Sequence, residues 1–132
     1  MSQTAAVKRL TIAEALREGL REEMARDERV FCIGEDIGIP GGWGGAFTVT
    51  LGLEKDFRDR IVDTPISEAG FSGLACGAAL NGMRPIVEIM FSSFVLVAAD
   101  QLFNQIGQIS HIYGGNARVP VVVRTRVAIG LG

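Results

Sequence analysis

The sequence predicts an α/β fold: a layered, mainly parallel sheet with helices on both faces. Three observations predict it. Helical and strand patterns alternate along the chain. The strand patterns are short apolar runs with little alternation, as expected where both faces of a sheet are covered. The 132 residues, 48% apolar and 21% charged, suffice for one domain with its own core.

Residues 1–9 are polar and read as a flexible arm, so the domain is expected over 10–132. Thr11 is placed as a helix N-cap, and Glu14 three residues on completes a capping box. Ile12, Ala15, Leu16, Gly19, Leu20 and Met24 recur at helical spacing, with the helix ending near Asp27. Residues 30–33 form a short strand. Residues 34–50 hold six glycines and cannot form regular structure, and a loop of that length points to function or docking. A helical turn at 53–57, a strand at 60–62 and a small-residue helix at 68–80 follow, stopped by Asn81-Gly82. Then come a strand at 85–91, a helix at 94–109 and a last strand at 119–127.

The charge balance excludes some functions. Thirteen basic and fifteen acidic residues, net −2, are interspersed, which gives no nucleic-acid footprint. No apolar run approaches the ~20 residues of a membrane span. No apolar leader is visible, so a reducing, cytoplasmic compartment is the expectation. Cys32 and Cys76 have no metal-ligand spacing and read as small buried hydrophobes. His111, the sole histidine, reads as a cap or surface residue.

Glu68 is the most informative residue. It stands where a strand ends and a helix of small apolar residues begins. An unpaired buried charge is costly, so this carboxylate needs a partner, a proton or a ligand. Taken alone, it also fits a capping acid stabilised by the helix dipole.

The run Asp63-Thr64-Pro65-Ile66-Ser67-Glu68-Ala69-Gly70-Phe71 resembles the pyrimidine-binding domain of the beta subunit of thiamine-diphosphate-dependent 2-oxo acid dehydrogenases. Gly34-Glu35-Asp36, Arg84-Pro85-Ile86-Val87-Glu88, Asp100-Gln101, Gly114-Gly115 and Val119-Pro120-Val121-Val122-Val123-Arg124 agree in order and spacing. The resemblance runs from about Leu10 onward. It implies a transketolase-like pyrimidine-binding domain. It also implies a longer beta subunit, with a histidine and a C-terminal domain beyond Gly132.

By the same resemblance Glu68 is the catalytic acid, hydrogen-bonding the aminopyrimidine so that the cofactor loses its thiazolium proton. Glu35, Ile66, Ser67, Glu68, Met90 and Phe94 are the cofactor-binding positions. Met90 stands where relatives often carry Gln, and Phe94 where an aromatic ring packs on the aminopyrimidine. Phe91 and Phe94 also fit ordinary core. No Gly-Asp-Gly segment followed by Asn occurs, so no metal site is expected here. The resemblance implies an alpha subunit supplying the Mg²⁺ and diphosphate half, a second beta subunit and a lipoyl acyltransferase core. Pyruvate is the first substrate expected. Acetoin cleavage is close behind, on Trp43-Gly44-Gly45 and Phe103-Asn104-Gln105. Another transketolase-type thiamine enzyme and a truncated, non-catalytic assembly domain are the other readings. Gly70, Gly73 and Gly77, with Asn104, Gln105 and Gln108 on the next helix, suggest that both helices meet other subunits.

Overall fold

The computed structural model describes residues 8–45 and 47–127. Of the expected N-terminal arm only Lys8 and Arg9 fall within them, and 128–132 lie outside. Helix α1 (Ile12–Arg26) opens on the expected capping box. Thr11 Oγ1 accepts from the Glu14 amide at 3.2 Å, and Glu14 Oε2 accepts from the Thr11 amide at 2.7 Å. Strand β1 (Val30–Glu35) follows, then a long loop, helix α2 (Glu54–Phe57) and a 3₁₀ turn (Arg58–Arg60). Strand β2 (Ile61–Thr64), helix α3 (Glu68–Leu80) and strand β3 (Arg84–Ile89) complete the centre.

The four strands are parallel, in the order β2-β1-β3-β4, with β4 (Val122–Thr125) at one edge. Alternate residues face opposite layers. Phe31, Ile33, Val87 and Ile89 pack under α3 with Phe71, Ala75 and Ala98. Val30, Cys32 and Ile61 pack with Met24, Ile37 and Leu53 on the α1 side. Helices therefore cover both faces, as predicted. Arg60 ties the α1 layer to the sheet, donating to the carbonyls of Met24, Asp27 and Val30 at 2.8, 3.1 and 3.2 Å. Both cysteines are free and buried, and burial pushes the Cys32 thiol up to about 12. Among the described residues no helix is long and apolar enough to cross a membrane.

Four expectations change. The apolar face of α1 is only half used: Met24 is buried, but Ile12 and Leu16 are exposed. Among the described residues β4 is the edge of the sheet, and the N-terminal half of α1 borders an open groove with Val122, Val123 and Arg124. The last strand is Val122–Thr125 rather than 119–127, because Pro120 has no amide to donate and Val121 turns back to the Val119 carbonyl at 2.8 Å.

The helix expected at 94–109 is three pieces. A 3₁₀ segment (Ser92–Leu96) leads into a wide π-type segment (Asp100–Ile106) and then helix α4 (Ile109–Ile112). The Gly107 amide reaches back five residues to the Leu102 carbonyl at 3.0 Å. A Cβ on Gly107 would stand 2.8 Å from the Phe103 carbonyl oxygen, so only glycine fits this widened turn. The polar residues expected to pair across an interface largely pair along their own segment. Asn104 donates to Asp100 at 2.8 Å, and Gln108 donates to Asn104 at 3.3 Å.

Candidate functional site

In a parallel sheet every strand delivers its last residue to the same edge, and binding sites gather there. The carboxyl end of β1 carries Glu35, in register with Thr64 at the end of β2. Four residues later Glu68 opens α3. The end of β3 leads to Met90 and then to Phe94. The expected residues therefore share one edge of the fold.

Glu68 is 6% exposed. Among the described residues no side chain hydrogen-bonds or pairs with it. Ser67, the helix N-cap residue, makes no side-chain cap either, so the start of α3 keeps donors free beside the carboxylate. Glu35 is half-buried, and its carboxyl is held above the usual carboxylate range. Burial is the main cause, and the charges of Asp36 and Glu68 add to it. The two glutamates are thus electrostatic neighbours. Thr64 Oγ1, at the same strand end, is buried without a partner.

The other positions are less enclosed. Ile66 is 75% exposed and Ser67 is exposed, on the turn that brings Glu68 into place. Met90 lines a recess of about 180 Å³ with Asp36, Trp43 and Gly45 from the glycine-rich loop. Phe94 is half-buried and packs against the core beneath α3. His111 is exposed on α4.

The loop that closes the recess is held by residues given no role from sequence. Asp63 Oδ1 accepts from the amides of Ile37 at 2.6 Å and Gly38 at 2.9 Å. Thr50 donates from its buried hydroxyl to the Ile37 carbonyl at 2.8 Å. The signal for Asp63 was present: an acid at a strand end, one strand from a glycine-rich loop with free amides.

An acid with no side-chain partner among the described residues, a second acid held towards its neutral form, and a sulfur and a ring just beyond the adjoining strand suit a flat, basic heterocycle. These donors fit the aminopyrimidine half of thiamine diphosphate. Among the described residues no three His, Cys, Asp or Glu side chains gather to hold a metal ion.

Comparison with known proteins gives the family. The family "Transketolase, pyrimidine binding domain" matches residues 8–132. The acetoin:2,6-dichlorophenolindophenol oxidoreductase subunit beta of Cupriavidus necator is 44% identical over 93% of this chain and 38% of its own length. The pyruvate dehydrogenase E1 component subunit beta of Staurastrum punctulatum is 43% identical over 92% of this chain and 36% of its own. The acetoin enzyme's beta subunit of Bacillus subtilis is 41% identical, again over 92% of this chain and 38% of its own length. The chain thus spans well under half the length of these relatives. With its parallel sheet and the shared strand edge that carries Glu68, the chain belongs to the transketolase pyrimidine-binding domain family.

Proposed function

We propose that this chain is the pyrimidine-binding part of the beta subunit of a thiamine-diphosphate-dependent 2-oxo acid dehydrogenase, with pyruvate as the first substrate. The observation that carries this reading is Glu68, a buried residue without a side-chain partner among the described residues, beside Glu35. Bound, the cofactor supplies a nucleophilic carbon, and the protein supplies orientation and electrostatics. Glu68 holds a proton at the aminopyrimidine ring nitrogen, and Glu35 sustains that proton from the neighbouring strand end. Phe94 packs on the ring, and Met90 and Ile66 keep water from its edges. Relatives named for acetoin and for pyruvate are equally similar, so acetoin cleavage is the second reading. Steady-state assays of the enzyme reconstituted with an alpha subunit, with pyruvate and with acetoin as donor, separate the two. Turnover of neither would sink both. Two free, buried thiols support a reducing, cytoplasmic compartment.

The partners follow from the beta-subunit reading. An alpha subunit supplies the Mg²⁺ and diphosphate half, a second beta subunit completes the assembly, and a lipoyl acyltransferase accepts the acyl group. The isolated chain is therefore expected to show no tight cofactor binding in calorimetry with magnesium. A micromolar dissociation constant without any partner would contradict the shared site.

Helix α3 offers a docking face: Gly70, Leu74, Gly77 and Leu80 are exposed along it. Gly73, expected at the subunit contact, is engaged within the chain, since a Cβ there would stand 3.1 Å from Gln101 Oε1. Gly77 is the cleaner probe, with nothing within 4 Å of a Cβ. Gly77→Leu is expected to leave the isolated chain as stable or more so, because leucine favours a helix interior over glycine by up to ~1 kcal/mol. The same change is expected to weaken assembly by about 1–3 kcal/mol through overpacking. Light scattering and thermal unfolding read the two effects separately. Unchanged assembly would remove α3 from the contact.

A further inference from the structure

Four side chains from three separate parts of the chain form one continuous stack at the carboxyl end of the sheet. The Arg126 guanidinium lies 3.7 Å from the centre of the Phe47 ring. Phe47 meets Phe91 edge to face, with centroids 5.9 Å apart and planes at 89°. Phe91 meets Phe94 in the same way, at 5.4 Å and 78°. Such geometry sets the positive edge of one ring against the negative face of the next, which fixes tilt as well as distance.

The backbone ties the Arg126 segment to the Phe91–Phe94 segment as well. The Ser92 amide donates to the Arg126 carbonyl at 3.0 Å, and the Phe94 amide donates to the Phe91 carbonyl at 3.0 Å. Phe47 belongs to the glycine-rich loop that also borders the Met90 recess. Among the described residues no carboxylate pairs with Arg126, so the Phe47 face is its charge partner. All four side chains are half-buried, and a cation over a ring is worth more when partly desolvated.

We propose that Arg126, Phe47 and Phe91 are positioning residues that hold the Phe94 ring at the angle needed to pack on the cofactor's pyrimidine. The proposal rests on the reading of Phe94 as a cofactor contact. The stack also joins the loop over the Met90 recess to the ring under the cofactor, so loop and ring are set as one unit. A structure with the same core but a loose Phe47 would leave Phe94 free to turn about its own side-chain torsions.

The test uses the beta chain assembled with its alpha subunit, and reads thiamine diphosphate affinity by calorimetry and thermal unfolding without cofactor. Phe47→Leu keeps bulk and removes the ring, and is expected to raise the dissociation constant about three- to tenfold. Arg126→Gln leaves all three rings and is expected to raise it about two- to fivefold. Phe47→Tyr should restore near-normal affinity. In a Phe94→Leu background the Phe47→Leu change should have almost no further effect, because both act through one ring. Affinity unchanged in both Phe47→Leu and Arg126→Gln, or effects of Phe47→Leu and Phe94→Leu that simply add, overturns the positioning role. In those outcomes the site reading survives if Phe94→Leu alone weakens binding. If Phe94→Leu leaves affinity unchanged, the cofactor contact itself fails and the positioning role with it. Arg126→Gln keeps the question decidable if Phe47→Leu does not assemble.

Discussion

Replacing Glu68 with Gln in the reconstituted enzyme is expected to slow exchange of the thiazolium proton about 10²–10⁴-fold. That is about 3–5 kcal/mol of barrier. Gln has nearly the same shape as Glu, so fold and assembly are expected to persist. The change also removes one of two neighbouring acids, since the Glu68 charge helps to push the Glu35 carboxyl up. A capping role gives a different result. The start of α3 has no side-chain cap from Ser67, so an acid that served only the helix dipole would cost ~0.3–1 kcal/mol of stability when neutralised. Proton exchange would then be untouched. Exchange followed by NMR, alongside thermal unfolding, separates the two roles. Near-normal exchange with lowered stability would make Glu68 a cap and leave the site without its acid.

Much of this site was legible because it lies where chain pattern and chemistry coincide. The run from Asp63 to Phe71 put one acid between a strand and a small-residue helix, and Glu68 is the first residue of α3. Parallel topology followed from unalternated apolar runs, and it alone brings Glu35 and the segment before Glu68 to one edge. The rest depended on contacts between residues far apart in the chain. Asp63 was quoted as part of a motif, but its role is to hold the Ile37 and Gly38 amides across two strands. The residues of 94–109 have a helical period, yet the Gly107 turn widens the segment in a way that no periodicity records. Gly73 looked like a gap left for another subunit, and the gap is filled by Gln101 of the same chain. Phe47 sits in a segment with no regular pattern at all, so its stacking partners were beyond sequence reasoning.

Arg124→Leu is expected to destabilise the fold by about 3–5 kcal/mol at pH 8 and by clearly less at pH 5. Glu88 on β3 lies between Gly34 on β1 and Arg124 on β4 in register. A side chain at position 34 has no room, since a Cβ there would stand 2.5 Å from the Glu88 carbonyl oxygen. Glu88 is 7% exposed, and Arg124 is its hydrogen-bonded ion-pair partner. Burial pushes the Glu88 carboxyl up to about 7, against the pull of Arg124. Nearby, Cys32 is neutral at these pH values, its thiol pushed up to about 12 by burial first and the Glu88 charge second.

The folded state therefore binds more protons than the unfolded state between the ordinary carboxylate range and about pH 7. Stability from this group is full below that range and is lost as pH rises through about 7. Asp27, held low by Arg29, acts in the opposite sense but only in stronger acid, outside this window. Removing Arg124 takes away the one charge that lowers the Glu88 carboxyl, so the penalty of an ionised, unpaired Glu88 appears at pH 8. At pH 5 the carboxyl is already protonated in the fold, and the loss is confined to a hydrogen bond to a neutral carboxyl and the packing of the arginine stem. Urea denaturation from pH 5 to 8 reads the difference. A second change, Glu88→Gln in the Arg124→Leu background, should recover most of the loss at pH 8 by removing the buried charge. An equal loss at both pH values, with no recovery in the double variant, would mean that Arg124 holds β4 by packing and that the ion pair contributes nothing.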